Sequence, residues 1–229
     1  MYQKKGAGKI VFIKNFLEHV DCMNNCPFDR ILLYYSMWQE TYRGLGKNIE
    51  FHEGLPDSMD YSSDLQRTKL LILDDLLIES SDCDDILNLF TKGSHHGNSS
   101  VFFTTQNIFH KGKNHRDISL NSNYLVLLKN PMDKSQIRHL VHQLSPEQPL
   151  FVQQAYRDAT AKPHGYLLVD LKQSTPENLR YRTDIFPHEA LHQTVYVPIN
   201  INNNNNNNRG KRKKVSMKNS SAQPSVIYL

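Results

Sequence analysis

An uninterrupted apolar run followed by two acidic residues is the feature that most narrows the fold of this chain. Residues 69–77 read KLLILDDLL, so four apolar side chains stand directly before Asp74 and Asp75. An unbroken apolar run indicates a strand buried on both faces, as in the centre of a parallel sheet. Two carboxylates at the end of such a strand are costly unless they bind a cation, a hydroxyl group or water.

The segments around this run alternate between strand and helix patterns. Apolar runs predict further strands at RILLYYS, SSVFFTTQN, SNYLVLLKNP and GYLLVDL, and an edge strand at LRYRTDIFP. Helical patterns predict helices at FIKNFLEHV, SDCDDILNLFTKG, DKSQIRHLVHQL and QPLFVQQAYRDAT. This alternation predicts an α/β fold whose mostly parallel sheet is flanked by helices.

Composition separates a globular part, residues 1–199, from a tail, residues 200–229. The tail opens with an asparagine run that cannot build a core, so it is predicted to be a disordered linker. Six of the 27 basic residues and none of the 23 acidic ones lie from Arg209 onward, so the positive charge of the chain belongs to the tail. The cluster RGKRKK indicates a nuclear-import signal or a nucleic-acid contact, and a solvating tail is the alternative.

The stretch GAGKI, residues 6–10, resembles the end of a phosphate-binding loop of the form G-x-x-x-x-G-K-[ST]. Gly6, Gly8 and Lys9 match that pattern, and a helix is predicted directly after them, as such a loop requires. Gln3 stands at the position of the first glycine, and Ile10 stands at that of the hydroxyl residue that binds magnesium. A lysine-rich segment with two glycines would give the same letters, so this pattern alone leaves both readings open.

Polar residues at the predicted strand ends complete a candidate nucleotide site. Asp74 is predicted to hold Mg²⁺, directly or through water, and Asp75 to polarise the attacking water. Gln106 ends the next strand, where a polar sensor would lie near the γ-phosphate. Arg116 lies in a loop that would border the site and is a candidate arginine finger for a neighbouring subunit. The alternatives are an acidic helix cap, an amide in a turn and a solvated arginine.

Four segments carry a resemblance to a known family: LLILDDLL, LFTKGSHHGNSSVFFTTQNIFHKGK, RDISLNSNYLVLLKNPMDKSQIRHL and GYLLVDL. Together they resemble the genome-packaging ATPases of large DNA viruses and Maverick/Polinton-type elements, P-loop NTPases of the FtsK–HerA group related to the poxvirus packaging ATPase. The resemblance covers roughly residues 5–187. It implies a RecA-like ASCE core that binds ATP and Mg²⁺, forms a ring of identical subunits and drives double-stranded DNA into a capsid, with capsid or portal proteins as partners.

Carried over by position, the resemblance assigns Gly6, Gly8 and Lys9 to the Walker A loop. It assigns Asp74 and Asp75 to Walker B, Gln106 to the sensor and Arg116 to the finger. Two positions depart from the family pattern. Met1 stands where an apolar strand normally precedes the loop, so the first strand is expected to be absent, and Ile10 cannot coordinate a metal.

These departures leave two main functional hypotheses open. One is an ATP-driven DNA-translocating motor, and the other is a non-catalytic nucleotide- or DNA-binding relic of such a motor. An unrelated α/β enzyme such as a methyltransferase ranks last. Three cysteines, no signal peptide and no bilayer-length apolar run predict an intracellular protein without a membrane partner, located in the nucleus, a virus factory or a virion.

Overall fold

A computed structural model describes residues 7–23, 27–46, 48–57, 66–76, 89–90, 98–105, 121–131, 134–198, 211–214 and 226–228. For the last two ranges it describes the backbone. The chain divides into two compact units: unit 1 comprises Met1–Tyr124 and Asn219–Leu229, and unit 2 comprises Leu125–Lys218. The sequence predicts one domain over residues 1–199 and gives no sign of this division, in which the end of the chain returns to unit 1.

Unit 1 contains a parallel sheet whose strands lie in the order β2-β1-β3-β4-β10. Every pair of neighbours in that order is parallel. The strands are β1 (Arg30–Tyr35), β2 (Ile49–Glu53), β3 (Lys69–Asp74), β4 (Ser99–Thr104) and β10 (Val226–Tyr228). The predicted α/β class with parallel strands is therefore confirmed, whereas β2 and β10 are strands that the sequence did not reveal.

Strand β3, which contains the apolar run at residues 70–73, is the central strand of unit 1, as its pattern predicts. All six residues of β3 are buried, and β1 and β4 flank it. Asp74, at the end of β3, lies opposite Tyr35 of β1 and Thr104 of β4. The carboxyl ends of three parallel strands therefore meet at one edge of the sheet.

Helix α1 (Ala7–Met23) covers one face of the sheet in unit 1. The rings of Phe12 and Phe16 lie 6.1 and 5.5 Å from the ring of Phe102 in β4. The neighbouring Phe103 contacts Phe90 at 6.0 Å, and successive strand residues point to opposite faces. Both faces of β4 are thus covered. Of the helix predicted at residues 81–93, only residues 89–90 lie within the described part of the chain.

Unit 2 combines two helices with a sheet in the order β5-β6-β7-β8-β9, in which β6 to β9 pair antiparallel. A strand, Tyr181–Thr183, does form within LRYRTDIFP, but the prediction that it lies at the edge of the sheet is wrong, because it pairs with a strand on each side. The elements are β5 (Tyr124–Leu128), α2 (Lys134–Leu144), α3 (Pro149–Ala159), β6 (Tyr166–Asp170), β7 (Tyr181–Thr183), β8 (Thr194–Val197) and β9 (Lys211–Lys214). The first residue of β5, Tyr124, is the last residue of the first segment of unit 1.

Glu189 in unit 2 is expected to make stability depend on pH. Its carboxylate accepts hydrogen bonds from the Tyr166 hydroxyl at 2.5 Å and the Phe186 amide at 3.2 Å, but burial dominates and raises the pKa of Glu189. The folded protein therefore binds this proton more tightly than the unfolded chain does. The free energy of unfolding should fall as pH rises from the ordinary glutamate pKa of 4.5 through the raised folded value. Glu189→Gln should remove that fall, which urea unfolding across this pH range measures.

Glu177 provides the matched control because its pKa is shifted the other way. The Arg180 guanidinium donates to its carboxylate and lowers the pKa of Glu177. This pair contributes stability above the ordinary pKa, and the contribution is lost as pH falls through the lowered value. Glu177→Gln should therefore reduce the pH dependence of the free energy of unfolding only below the ordinary glutamate pKa of 4.5. An unchanged slope in Glu189→Gln would contradict the assignment.

Candidate functional site at the strand ends

Asp74 is held by three donors from two segments of unit 1, namely β4 and the residues around the 3₁₀ helix that follows β1. The Thr104 hydroxyl of β4 donates to Asp74 Oδ1 at 2.5 Å, and the Tyr42 hydroxyl donates to Oδ2 at 2.7 Å. Gln39 Nε2 lies 3.5 Å from the same Oδ2. Asp74 is only 2% exposed, so these contacts offset much of the cost of burying its carboxylate.

Tyr42 reaches Asp74 from the short 3₁₀ helix Glu40–Gly44 that follows β1. Burial of its ring, with the negative charge of Asp74 second, raises the pKa of the Tyr42 hydroxyl. The hydroxyl therefore stays protonated throughout the neutral range and remains a donor to the carboxylate. Tyr42 is a contact of the site that the sequence analysis did not identify.

Asp75 has an unusual backbone conformation directly after β3. Its φ is +49°, in the left-handed region that aspartate and asparagine adopt more readily than other residues apart from glycine. Its amide donates to Thr104 Oγ1 at 3.1 Å, and its carbonyl accepts from the Ser36 hydroxyl at 3.2 Å. The Asp75 side chain is 37% exposed, in contrast to the buried Asp74. Its greater exposure makes Asp75, of the two acids, the one better placed to meet a ligand.

Lys9 is far from Asp75 in the sequence but contacts it in the folded chain. Gly8 and Lys9 lie in the first turn of α1, the positive end of the helix dipole. Lys9 Nζ lies 3.4 Å from Asp75 Oδ1, across 66 residues of sequence. Lys9 is 8% exposed, so its ammonium group is held in a largely buried setting. The predicted Walker A lysine and the second predicted Walker B acid are therefore neighbours.

The oxygen groups at this edge fit Mg²⁺ when a nucleotide brings further ligands. Ile10 is buried and offers no ligand atom, so the helix supplies no hydroxyl group at that position. Mg²⁺ is commonly held by one or two carboxylates together with phosphate oxygens and water. The more exposed Asp75 and the buried Asp74 provide two such carboxylates. Over the described ranges there is no group of three or more histidine, cysteine or acidic residues suited to a metal on its own.

Gly6, Gln106 and Arg116, the other predicted site residues, lie outside the described residues. Their roles in the loop, the sensor and the arginine finger stay predictions. The structure does bring together Lys9 and Asp75. The polar residues that follow the apolar runs of β3 and β4 indicated this edge of the sheet as the site, because the carboxyl ends of parallel strands lie side by side.

A cluster of aromatic rings supports the 3₁₀ helix that carries Tyr42. The Trp38 ring packs edge-on against Tyr35, Tyr42 and Phe51, with centroid distances of 5.3 to 5.5 Å. Such pairs contribute beyond the apolar area that they bury. Trp38 is 41% exposed and is the chain's single tryptophan, so its fluorescence reports on this part of unit 1.

Comparisons of the chain with protein-family models, with curated proteins and with solved structures found no match. None of the helices in the described part of the chain combines the length and apolar character that a membrane crossing needs.

Proposed function

We propose that unit 1 binds Mg-ATP at the carboxyl ends of β3 and β4 and hydrolyses it. The observation that carries this proposal is the contact between Lys9 and Asp75, which joins the start of α1 to the end of the central strand. In open parallel sheets, ligands bind at the carboxyl ends of the strands. A lysine at a helix N-terminus, next to strand-end carboxylates, is the arrangement that a phosphate chain with a divalent cation requires.

The roles of the residues follow from their charge and exposure. The ammonium group of Lys9 would neutralise phosphate oxygens, aided by the positive end of α1. Asp75, the more exposed acid, would orient and polarise the attacking water. Asp74, with a hydroxyl donor on each oxygen, would act on Mg²⁺ through water and would fix the end of β3. When bound, Mg²⁺ would neutralise charge on the phosphates.

The family resemblance extends this proposal to an ATP-driven motor that translocates double-stranded DNA for genome packaging. In that proposal Gln106 senses the γ-phosphate, and Arg116 reaches the site of a neighbouring subunit in a ring. Contacts to the DNA backbone would make binding weaken with salt and depend little on sequence. The basic tail could contribute to such contacts or direct the chain to the nucleus, and capsid or portal proteins would be the partners.

A non-catalytic nucleotide- or DNA-binding protein is the second candidate, and two observations favour it. Ile10 is buried where a P-loop enzyme has its magnesium-binding hydroxyl group. Both oxygens of Asp74 already accept hydrogen bonds from Thr104 and Tyr42. Such a site could retain phosphate binding through Lys9 and lack turnover.

Binding and hydrolysis by the full chain separate the two candidates. A fluorescent ATP analogue is titrated with and without Mg²⁺, and phosphate release is then measured with double-stranded DNA present. We expect saturable, Mg²⁺-dependent binding and DNA-stimulated release. Binding without release would favour the second candidate, and no binding under either condition would overturn the nucleotide site.

Asp75→Asn is expected to lower hydrolysis by about 100-fold or more, because a positioned general base contributes roughly 10²–10⁴-fold to such a rate. ATP-analogue binding should change far less, since the amide keeps the shape of the side chain. Glu18→Gln, on the half-exposed surface of α1, is the matched control and should leave both quantities unchanged. Turnover at the wild-type rate in Asp75→Asn would exclude this acid as the base.

A further inference from the structure

Positive charge in this chain is concentrated in unit 2. Residues 125–218 contain 14 basic and seven acidic residues, an excess of seven positive charges. The other 13 of the 27 basic residues and 16 of the 23 acidic ones belong to unit 1, which is therefore negative by three charges. Such an asymmetry between two parts of one chain indicates that the basic part binds a polyanion.

The excess charge of unit 2 lies almost entirely in one short segment. Three carboxylates of the unit already pair with basic side chains of the same unit: Asp170 with Arg182, Glu177 with Arg180 and Asp184 with Lys162. These pairs use equal numbers of the two charges and leave the excess elsewhere. Residues 209–218 contain six basic residues and no acidic one, so they supply nearly all of it.

The structure places four of these six residues in one strand. Strand β9 (Lys211–Lys214) is the last strand in the order of the sheet, so over the described residues it forms an edge. It pairs with β8, whose sequence TVYV carries no charge. Successive strand residues lie on alternate faces, and neighbours on one face are about 7 Å apart. Lys211 and Lys213 therefore share one face, and Arg212 and Lys214 share the other.

Four cations fixed in a strand favour an extended anion as their partner. Adjacent positive charges repel one another, and a bound anion offsets this repulsion. A strand also loses less conformational entropy on binding than a flexible tail does. A DNA duplex carries one negative charge per about 1.7 Å of its axis, so several phosphates lie within the length of β9. Segments that bind membrane surfaces add apolar side chains to basic ones, and β9 contains none.

We propose that β9 is a DNA-binding edge strand, which contacts the phosphates of double-stranded DNA through Lys211–Lys214 without reading the bases. This inference rests on the DNA partner of the proposed function but not on ATP hydrolysis, because β9 belongs to unit 2 and the nucleotide site to unit 1. The basic cluster then acts as an ordered surface. Charges within the strand should therefore contribute more to DNA binding than charges beside it.

Binding of the full chain to a labelled DNA duplex, without nucleotide and at several salt concentrations, tests this proposal. Lys211→Gln with Lys213→Gln removes the charges of one face of β9, and Arg212→Gln with Lys214→Gln removes those of the other. At least one of these two variants should bind the duplex about tenfold more weakly or more. In that variant the slope of log affinity against log salt concentration should fall by about 2, one for each lost phosphate contact.

Arg209→Gln with Lys218→Gln is the matched control, because it removes two positive charges of the same segment outside β9. Its affinity for the duplex and its salt dependence should stay close to those of the wild type. A loss in this control equal to that in the β9 variants would identify a flexible polycation and overturn the proposal. Wild-type affinity in both β9 variants, or no binding of the duplex by the wild type, would also overturn it.

Two further ligands separate this proposal from its competitors. Vesicles of phosphatidylcholine and phosphatidylserine should bind more weakly than the duplex, and equal binding would overturn the assignment to DNA. The fluorescent ATP analogue should bind both β9 variants as it binds the wild type. If the chain binds DNA through β9 but not the analogue, the nucleotide site is wrong and this proposal stands. The opposite result overturns this proposal alone.

Discussion

Replacing Lys9 with alanine is expected to weaken binding of the ATP analogue by about 10- to 100-fold. A hydrogen bond to a charged group contributes about 1.5–3 kcal/mol, and each 1.4 kcal/mol is tenfold in affinity. The ammonium group of Lys9 is largely buried next to Asp75. Its removal would also leave the Asp75 carboxylate to repel the phosphates. Titration with the fluorescent analogue in the presence of Mg²⁺ measures the effect.

Lys14 is the matched control, because it lies on the same helix and pairs with Glu18 on a half-exposed surface. Lys14→Ala removes the same charge and should leave the affinity nearly unchanged. Lys9→Arg keeps the charge with a different donor geometry and should retain part of the binding. If Lys9→Ala binds as the wild type does, phosphates do not bind at the start of α1, and the proposed nucleotide site is wrong.

The sequence predicted β1, β3, β4, β5 and β6 from their apolar runs and also a strand at β7. It missed β2, β8, β9 and β10. Strand β3 carries an unbroken run of four apolar residues, and β4 carries one of three. Strand β2, with the sequence IEFHE, is an edge strand of its sheet with exposed acidic residues, so its pattern resembles a loop. Strands β9 and β10 lie within residues 200–229, the tail that composition predicts to be disordered, and that prediction is wrong for these two segments. The pairing of β10 with β4 is a tertiary contact that periodicity does not encode.

The sequence predicted Lys9 and the strand-end acids as site residues, but not Tyr42 and Gln39, which contact Asp74. Asp74 and Asp75 follow an apolar strand, which marks them directly. Tyr42 becomes a donor to Asp74 only because the 3₁₀ helix after β1 folds back over the sheet edge. The contact between Lys9 and Asp75 spans 66 residues, so it follows from the packing of α1 and not from local sequence.

Phe102→Ala is expected to destabilise unit 1 by about 3–5 kcal/mol, the usual cost of truncating a buried phenylalanine. Phe102 is fully buried in β4 and packs against Phe12 and Phe16, so the change leaves a cavity between α1 and the sheet. A loss of this size is a large share of the 5–15 kcal/mol typical of a folded domain. Urea unfolding followed by the fluorescence of Trp38 measures it within unit 1.

Met37→Ala is the control for this experiment, because Met37 is 77% exposed and its truncation removes little buried surface. Its unfolding midpoint should stay close to that of the wild type. A small effect of Phe102→Ala would mean that α1 does not pack on β4. The start of α1 would then not be held near the acids, and the contact between Lys9 and Asp75 would lose its structural basis. The stability of this one packing contact therefore tests the scaffold on which the proposed site depends.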